Sequence, residues 1–355
     1  MYFLKMGRRQ TNTRNNTYCP KLWTSIYIYK NGNVYNCCNR THKIGNINSN
    51  RLEEIKKCKL LQKIRTESLL GRLTCYKHCN VIDKDRATQE YKDKQYLNQK
   101  FDNLTIMFGE ACNINCVMCC QNSKSKKKID YTILTKKIDL TSFNKGIMLT
   151  GGGPLYNKSA IKYFDYLILK GKKARFTTNG TLINNELAEK IACNCDEINI
   201  SLNASKKSTH ESINRGSKWD VVLDNINKVK NARDRLDTKL IIEGHMTIII
   251  KNIEEIPLFI KESKKFGFDC VNFSCDYSVL VYLKLFPKKR EQIRIEIKEI
   301  IDSNNFQSIV YLKTLNKLGL YNSQSPRIGV KHIVAMFFLI NINIRKFFNF
   351  LYYKK

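Results

Sequence analysis

The chain has 355 residues, 43% of them hydrophobic, 14 cysteines and a formal net charge of +31 at pH 7. This length and apolar content exclude a disordered polymer and suffice for one large domain and a small one. Because residues 1–10 contain no sustained apolar run, the cysteines predict bound metal in a reducing, cytoplasmic compartment instead of disulfides. The charge makes a nucleic acid or another anionic partner a hypothesis, although the basic residues are spread along the whole chain.

The first segment, residues 1–84, is predicted to form a separate small α+β module. Two strand-like runs, 26–29 and 34–36, flank a turn that contains Gly32, and helix periodicity follows over 52–65. Cysteines stand at both ends of this hairpin and at the end of the segment: Cys19, Cys37, Cys38, Cys75 and Cys79. Four thiolates fit either a zinc ion or an iron–sulfur cluster, so the segment predicts a metal centre.

Residues 101–280 alternate strand-like and helical patterns, after a charged stretch at 85–100 that predicts a linker or bridging helix. The predicted strands span 103–108, 146–150, 174–178, 197–202, 240–250 and 271–274. Such alternation predicts an α/β fold, a partial (β/α)6 barrel similar to a TIM barrel with right-handed crossovers. In these sheets the chemistry lies at the carboxyl ends of the strands.

The loop after the first of these strands contains Cys112, Cys116 and Cys119, spaced x3 and then x2. Three thiolates can hold three irons of a cubane cluster and leave the fourth iron open for a ligand that is not protein. The alternative is zinc, but zinc takes four ligands from paired knuckles, and no second knuckle lies close in sequence. The neighbouring Cys120 is predicted to be a bystander.

This run, with Met118 before its last cysteine, resembles the signature of the radical S-adenosylmethionine (SAM) enzymes. The resemblance implies a [4Fe-4S] cluster whose open iron binds SAM. It also implies reductive cleavage of SAM to a 5′-deoxyadenosyl radical, which abstracts hydrogen from a substrate. No catalytic residue beyond the cluster ligands is predicted.

Three later strand ends resemble SAM-binding motifs of that family. Gly151-Gly152-Gly153-Pro154 resembles its GGEP motif, with Gly153 in place of the usual Glu, whereas Thr177–Gly180 and Ser201–Asn203 resemble TNG and S-L-D. The resemblance implies contacts to SAM from Gly151, Gly152, Gly153, Pro154, Asn179, Ser201, Asn203 and Arg215. Arg215 would pair with the SAM carboxylate. The residues alone leave open a plain turn at Asn179-Gly180 and a solvated role for Arg215.

The N-terminal cysteines resemble, in their order, the SPASM or twitch module of radical SAM enzymes, which binds an auxiliary [4Fe-4S] cluster. The resemblance implies Cys19, Cys37, Cys75 and Cys79 as its ligands, with Cys38 as the alternative to Cys37. The module here precedes the barrel, whereas it usually follows, and its last pair is spaced x3 where x2 is common. Zinc remains the alternative occupant.

Residues 281–355 are predicted to form a helical extension. Its basic, aromatic end, 333–353, is too short in its apolar part to cross a bilayer. It predicts a helix that lies on a membrane surface, docks on a partner or caps the open side of the barrel.

The leading hypothesis is a radical SAM enzyme that acts on a peptide or protein, because such modules in the family most often accompany these substrates. An electron donor such as flavodoxin or ferredoxin would be its partner. One alternative, suggested by the charge and by the basic run Lys124–Lys128, is modification of RNA, a nucleotide or a sugar. Another is a non-catalytic iron–sulfur or zinc protein that senses redox state or binds nucleic acid.

Overall fold

The computed structural model describes residues 18–73, 75, 101–143, 146–303 and 308–322. The chain divides into an N-terminal unit, residues 1–105 with 132–145, and a barrel unit, residues 106–131 with 146–355. The predicted linker at 85–100, the predicted ligand Cys79 and the predicted C-terminal helix at 333–353 lie outside the described residues. The domain boundaries drawn from the sequence stay predictions.

An antiparallel meander forms the sheet of the N-terminal unit. Its strands are β1 (Ser25–Ile28), β2 (Asn33–Tyr35) and β3 (Lys43–Asn46). Tyr27 lies opposite Tyr35, and β2 continues the pairing with β3 through a register shift. The predicted hairpin is therefore confirmed, and β3 extends it.

The N-terminal unit also contains short helices: α1 (Lys21–Thr24), α2 (Leu52–Lys56), α3 (Lys59–Leu69) and α4 (Tyr131–Lys137), the last of which begins at the boundary with the barrel unit. The sequence pattern predicted one helix over 52–65, but the structure breaks it between Lys56 and Lys59. Cys58 is extended there, with ψ 145°, and its Sγ accepts a hydrogen bond from the backbone N–H of Leu61. This side-chain cap begins a new helix, which a hydrophobic pattern alone does not reveal.

The barrel unit contains β4 (Asn103–Met107, which crosses from the N-terminal unit), β5 (Asn115–Cys116), β6 (Ile147–Thr150), β7 (Ala174–Thr178), β8 (Cys195–Ser201), β9 (Asn214–Arg215), β10 (Ile241–Ile248), β11 (Cys270–Cys275) and β12 (Ile309–Val310). Its sheet follows the order β4-β6-β7-β8-β10-β11-β12, and the pairs from β6 to β12 are parallel. The six predicted strands and the partial α/β barrel are confirmed. Strand β12 adds a seventh, and β5 pairs with β9 in a separate antiparallel ribbon.

Helices connect these strands: α5 (Lys158–Leu169), α6 (Asn185–Asn194), α7 (Lys207–Ile213), α8 (Trp219–Arg235), α9 (Ile256–Lys261), α10 (Tyr277–Leu285), α11 (Pro287–Ile301) and α12 (Lys313–Leu318). Short polar side chains begin several of them, for example Asn157 before α5 and Asn184 before α6, each accepting a backbone N–H. Among the described residues, no helix is both long enough and apolar enough to cross a bilayer.

Alternation along the central strands separates two chemically different faces. On β10, Ile242, Met246 and Ile248 are fully buried, and Glu243 and His245 lie on the opposite face. Register pairs Glu243 with Asn199 of β8, whose side-chain amide donates to the Glu243 carboxylate. The apolar face packs in the core, so the polar face lines the inside of the partial barrel.

Candidate metal and cofactor sites

The three-cysteine loop follows β4 and is braced at several points. The backbone N–H of Cys112 donates to the carbonyl of Ser123 at 3.1 Å, and that of Cys119 donates to the carbonyl of Cys116 at 3.2 Å. In the β5–β9 ribbon, Cys116 lies opposite Asn214. The ribbon therefore ties the middle of the loop to a segment that is distant in sequence.

Two thiols of this loop, those of Cys116 and Cys119, are poor anions by themselves. Burial raises the pKa of Cys116 to about 12, and the neighbouring Cys119 and Cys112 thiolates add to the increase. Burial also raises the pKa of Cys119. Iron supplies the positive charge that such thiolates need, so the donor set fits a cluster with three protein ligands. Among the described residues, no three Cys, His, Asp or Glu side chains come together as ligands of a single metal ion.

The glycine turn after β6 lies directly against the residues that precede Cys112. Gly151 and Gly152 have φ values of +98° and +52°, and a Cβ on Gly152 would lie 2.2 Å from the carbonyl oxygen of Ala111. The backbone N–H of Gly153 donates to that same oxygen at 2.8 Å. Only glycine allows backbone to approach backbone this closely, so the turn is a cradle without side chains. Pro154, also buried, ends the cradle.

Gly153 itself has a different constraint, because its φ is not positive. An ideal Cβ at this position would lie 3.3 Å from Cys112 Sγ and 3.2 Å from the Cβ of Tyr156. The Glu that the family motif usually has here would therefore crowd the first cluster cysteine unless its neighbours moved. Glycine therefore fits at Gly153, between Cys112 and Tyr156, without any movement of these neighbours.

Asn179, at the end of β7, reaches the first cysteine. Its Nδ2 donates to Cys112 Sγ at 3.5 Å and to Asn113 Oδ1 at 3.0 Å. Its Oδ1 accepts from Thr181, whose Oγ1 also accepts from Asn113 Nδ2 at 2.7 Å. The predicted residue is brought to the site, along with Asn113 and Thr181, which sequence reasoning missed. No sequence signal marks Asn113, but Thr181 directly follows the Asn-Gly turn.

Asn203 is held inside the framework of the site. It is 2% exposed with φ +58°, its Nδ2 donates to Asn214 Oδ1 at 3.0 Å, and its Oδ1 accepts from the backbone N–H of Thr247 at 2.7 Å. Asn214 Nδ2 also donates to the carbonyl of Ser201 at 3.4 Å. Both ends of the Asn203 amide are thus used within the protein, which makes it a positioning residue for the ends of β8 and β10.

Arg215 is exposed on β9, opposite Asn115 of the cluster loop. His210 supports this region. It is fully buried, with Nδ1 hydrogen-bonded to the carbonyl of Leu202 and Nε2 hydrogen-bonded to Ser217 Oγ at 2.9 Å. Burial lowers its pKa, so the ring stays neutral at neutral pH. Nothing in the local sequence pattern marks this histidine as part of the site.

A cavity in the N-terminal unit brings together four of the N-terminal cysteines: Cys19, Cys37, Cys38 and Cys75. Cys19 and Cys37 are buried, Cys75 is half-buried and Cys38 is exposed. Ser68 Oγ accepts the backbone N–H of Cys19 at 2.9 Å, and Thr41 Oγ1 accepts from Cys75 Sγ at 3.5 Å. Residues far apart in sequence therefore converge on one thiol-lined space.

Two polar atoms beside these thiols fit an additional occupant. Asn36 Oδ1 and His42 Nε2 are buried and have no hydrogen-bond partner in the described part of the chain, and both residues line the cavity. Buried polar groups without partners are rare and point to a missing group. The thiols and the His42 nitrogen, which can donate a hydrogen bond to sulfur, fit an iron–sulfur cluster, whereas the Asn36 oxygen only accepts hydrogen bonds and needs a donor from elsewhere.

Two family models match the chain. The model of the Radical SAM superfamily matches residues 106–261, and the SPASM model, an iron–sulfur cluster-binding domain, matches residues 19–81. The first match contains the three-cysteine loop and the strand-end motifs. The second contains the thiol-lined cavity of the N-terminal unit.

Several curated proteins are similar in sequence. An uncharacterized protein of Methanocaldococcus jannaschii is 28% identical over 233 residues, which is 61% of this chain and 71% of that protein. A GTP 3′,8-cyclase of Clostridium botulinum is 30% identical over 181 residues, or 47% of this chain and 54% of the cyclase. The chain therefore spans about half the length of that cyclase. Among solved structures, Streptococcus suis SuiB bound to precursor peptide SuiA has a TM-score of 0.46 and 15% identity, covering 70% of this chain and 61% of SuiB.

Proposed function

This chain belongs to the radical SAM superfamily and carries a SPASM-type iron–sulfur module, and from that premise we propose that it abstracts hydrogen from a peptide or protein substrate. It is an enzyme that binds SAM at a [4Fe-4S] cluster, with an additional cluster in the SPASM-type module. When bound, the cluster and SAM supply an electron and the 5′-deoxyadenosyl radical. The observation that carries the proposal is the three-cysteine loop braced beside the side-chain-free glycine turn.

In this proposal the residues of the barrel unit bind and orient the cofactors. Cys112, Cys116 and Cys119 hold three irons and leave one open. The backbone of Gly151–Pro154 receives the amino end of SAM, and Asn179 orients the Cys112 thiolate through its side-chain amide. The exposed guanidinium of Arg215, beside the loop, attracts the SAM carboxylate.

The SPASM-type module supports the choice of a peptide or protein. In radical SAM enzymes such a module most often accompanies peptide and protein modification, and here it is proposed to hold its cluster through Cys19, Cys37, Cys75 and Cys79. The auxiliary cluster would accept an electron from the substrate radical, and a flavodoxin or ferredoxin would supply the electron for SAM cleavage.

A second candidate, modification of a nucleotide or RNA, is favoured by two observations. The similarity to GTP 3′,8-cyclase is one. The other is the basic run next to the cluster loop, in which Lys124, Lys126 and Lys127 are exposed and have no carboxylate partner among the described residues. An anionic substrate would gain from this charge at the entrance to the site.

Anaerobic reconstitution tests the proposal. We expect about eight irons per wild-type chain, as two cubanes require, and 5′-deoxyadenosine on addition of SAM and a reductant. Cys112→Ala should produce no 5′-deoxyadenosine and should lose the barrel cluster or leave it incomplete. Cys120→Ala is the matched control, because Cys120 is exposed beside the loop and outside the predicted ligand set, and it should behave as the wild type.

Iron content without SAM cleavage by the wild type would instead favour the non-catalytic iron–sulfur protein. Candidate peptides and nucleotides can then be compared by the increase in 5′-deoxyadenosine that each causes. An increase with a nucleotide and none with peptides would replace the first proposal by the second.

A further inference from the structure

The thiol-lined cavity of the N-terminal unit contains a nitrogen without a partner. His42 Nε2 is buried and makes no hydrogen bond to any described residue, and His42 lines the same cavity as Cys19, Cys37 and Cys75. Leaving a buried nitrogen unpaired costs free energy that a folded protein normally avoids. The occupant of the cavity is therefore the group that can supply the missing partner of this nitrogen.

The chain segment that carries His42 is tied to two of the predicted cluster ligands. It lies between β2 and β3, where the backbone N–H of Arg40 donates to the carbonyl of Cys37 at 3.3 Å. The neighbouring Thr41 accepts from Cys75 Sγ at 3.5 Å. Arg40 and Thr41 are the two residues that precede His42. The hydrogen bonds that they make to Cys37 and Cys75 therefore fix the backbone next to the His42 imidazole.

An imidazole can act on a cluster either as an iron ligand or as an N–H donor to sulfur. Four described cysteines line the cavity with His42, namely Cys19, Cys37, Cys38 and Cys75, so thiolates suffice to give each iron of a cubane one ligand. A donor role is therefore the one left for His42. Hydrogen bonds to cluster sulfurs stabilise the reduced state, which has one more negative charge.

We propose that His42 donates a hydrogen bond from Nε2 to a sulfur of the auxiliary cluster and raises its reduction potential. This inference rests on the proposed function, in which the auxiliary cluster accepts an electron from the substrate radical. A higher potential makes that acceptance more favourable. His42 is thus a positioning and tuning residue and not a ligand.

The test uses the full chain with Cys112, Cys116 and Cys119 all changed to Ala, so that only the auxiliary cluster is present. In this background, His42→Phe removes the N–H donor and keeps the ring volume, whereas His42→Gln keeps an N–H donor. Iron content, the midpoint potential from an anaerobic EPR titration and the nitrogen hyperfine coupling are measured for each protein.

We expect about four irons in all three proteins, a more negative midpoint potential for His42→Phe and a potential near the parent value for His42→Gln. Equal potentials for the parent and His42→Phe would overturn the proposal. Loss of the cluster in His42→Phe, or strong coupling to the imidazole nitrogen in the parent, would also overturn it, because either would make His42 an iron ligand. SAM cleavage by the unaltered chain is assayed separately, so failure of the proposed function is distinguishable from failure of this inference.

Discussion

Two structural constraints exclude a side chain at Gly152. Its backbone has φ +52°, and its ideal Cβ position lies 2.2 Å from the carbonyl oxygen of Ala111 and 2.6 Å from that of Glu110. A left-handed backbone alone disfavours a side chain, but the contact with Ala111 makes one sterically impossible without movement. That movement would occur next to Cys112, so in the proposed site the packing at Gly152 affects cofactor binding.

Gly152→Ala should therefore weaken SAM binding at least tenfold and destabilise the fold more than Gly171→Ala. Gly171 is the matched control, with φ +63° and no atom of a described residue within 4 Å of its Cβ position, so its substitution adds only about 1–2 kcal/mol of left-handed strain. Urea unfolding and equilibrium SAM binding measure the two effects. Wild-type SAM affinity in Gly152→Ala would show that the turn does not shape the site.

Strand β10 displays the two faces of the barrel within one element. Its buried Ile242, Met246 and Ile248 pack in the core, whereas His245 lies on the opposite, inner face between Ser201 of β8 and Asn272 of β11, both uncharged. Burial lowers the pKa of His245 to about 4. The strand therefore places a neutral imidazole in the polar interior of the barrel.

This histidine predicts a pH dependence of folding stability. The unfolded chain binds the proton near pH 6.5 and the folded chain only near pH 4, so the contribution is complete above pH 6.5 and is lost as pH falls toward 4. Between pH 7.5 and 5.5 the wild type should lose about 1 kcal/mol from this residue, and His245→Gln should lack that loss. Anaerobic urea unfolding at both pH values measures the difference. Identical pH dependence in both proteins would contradict the assignment.

At the scale of the whole molecule, the net charge of +31 is the dominant electrostatic property. Basic residues occur throughout the chain, so charge alone does not define a binding face. The exposed Lys124, Lys126 and Lys127 differ from the rest because they follow the cluster loop, whose Cys112 backbone is hydrogen-bonded to Ser123. The nucleic-acid hypothesis therefore predicts contacts to these three lysines beside the cluster loop.

If RNA is the substrate, changing Lys124, Lys126 and Lys127 together to Gln should weaken RNA binding and reduce its salt dependence. Three lost contacts to a single strand would lower the slope of log K against log salt by about 2. The matched control changes Lys239, Lys261 and Lys264, which are exposed on the same unit, and should leave that slope unchanged. RNA binding that is absent, or insensitive to salt, in the wild type would leave the peptide hypothesis as the better one.

The parts of this protein that the sequence predicted are those determined by local spacing. Cys112, Cys116 and Cys119 lie within one short loop, so their separation alone predicts a three-ligand set. The strands of the barrel could be predicted because apolar runs of strand length alternate with helix periodicity. The break in the helix at Cys58 could not be predicted from this periodicity, because it depends on one side-chain cap.

By itself, the sequence determined that thiolates supply both predicted centres and that the architecture is α/β, since ligand type and hydrophobic period are properties of neighbouring residues, but it left zinc open for the N-terminal cysteines. Tertiary structure decided which polar groups support those centres. Asn179 reaches Asn113 across 66 residues, and Asn203 reaches Thr247 across 44, only because parallel strands bring their carboxyl ends to one edge. The unpaired nitrogen of His42 likewise became visible only once the chain had folded around the cavity.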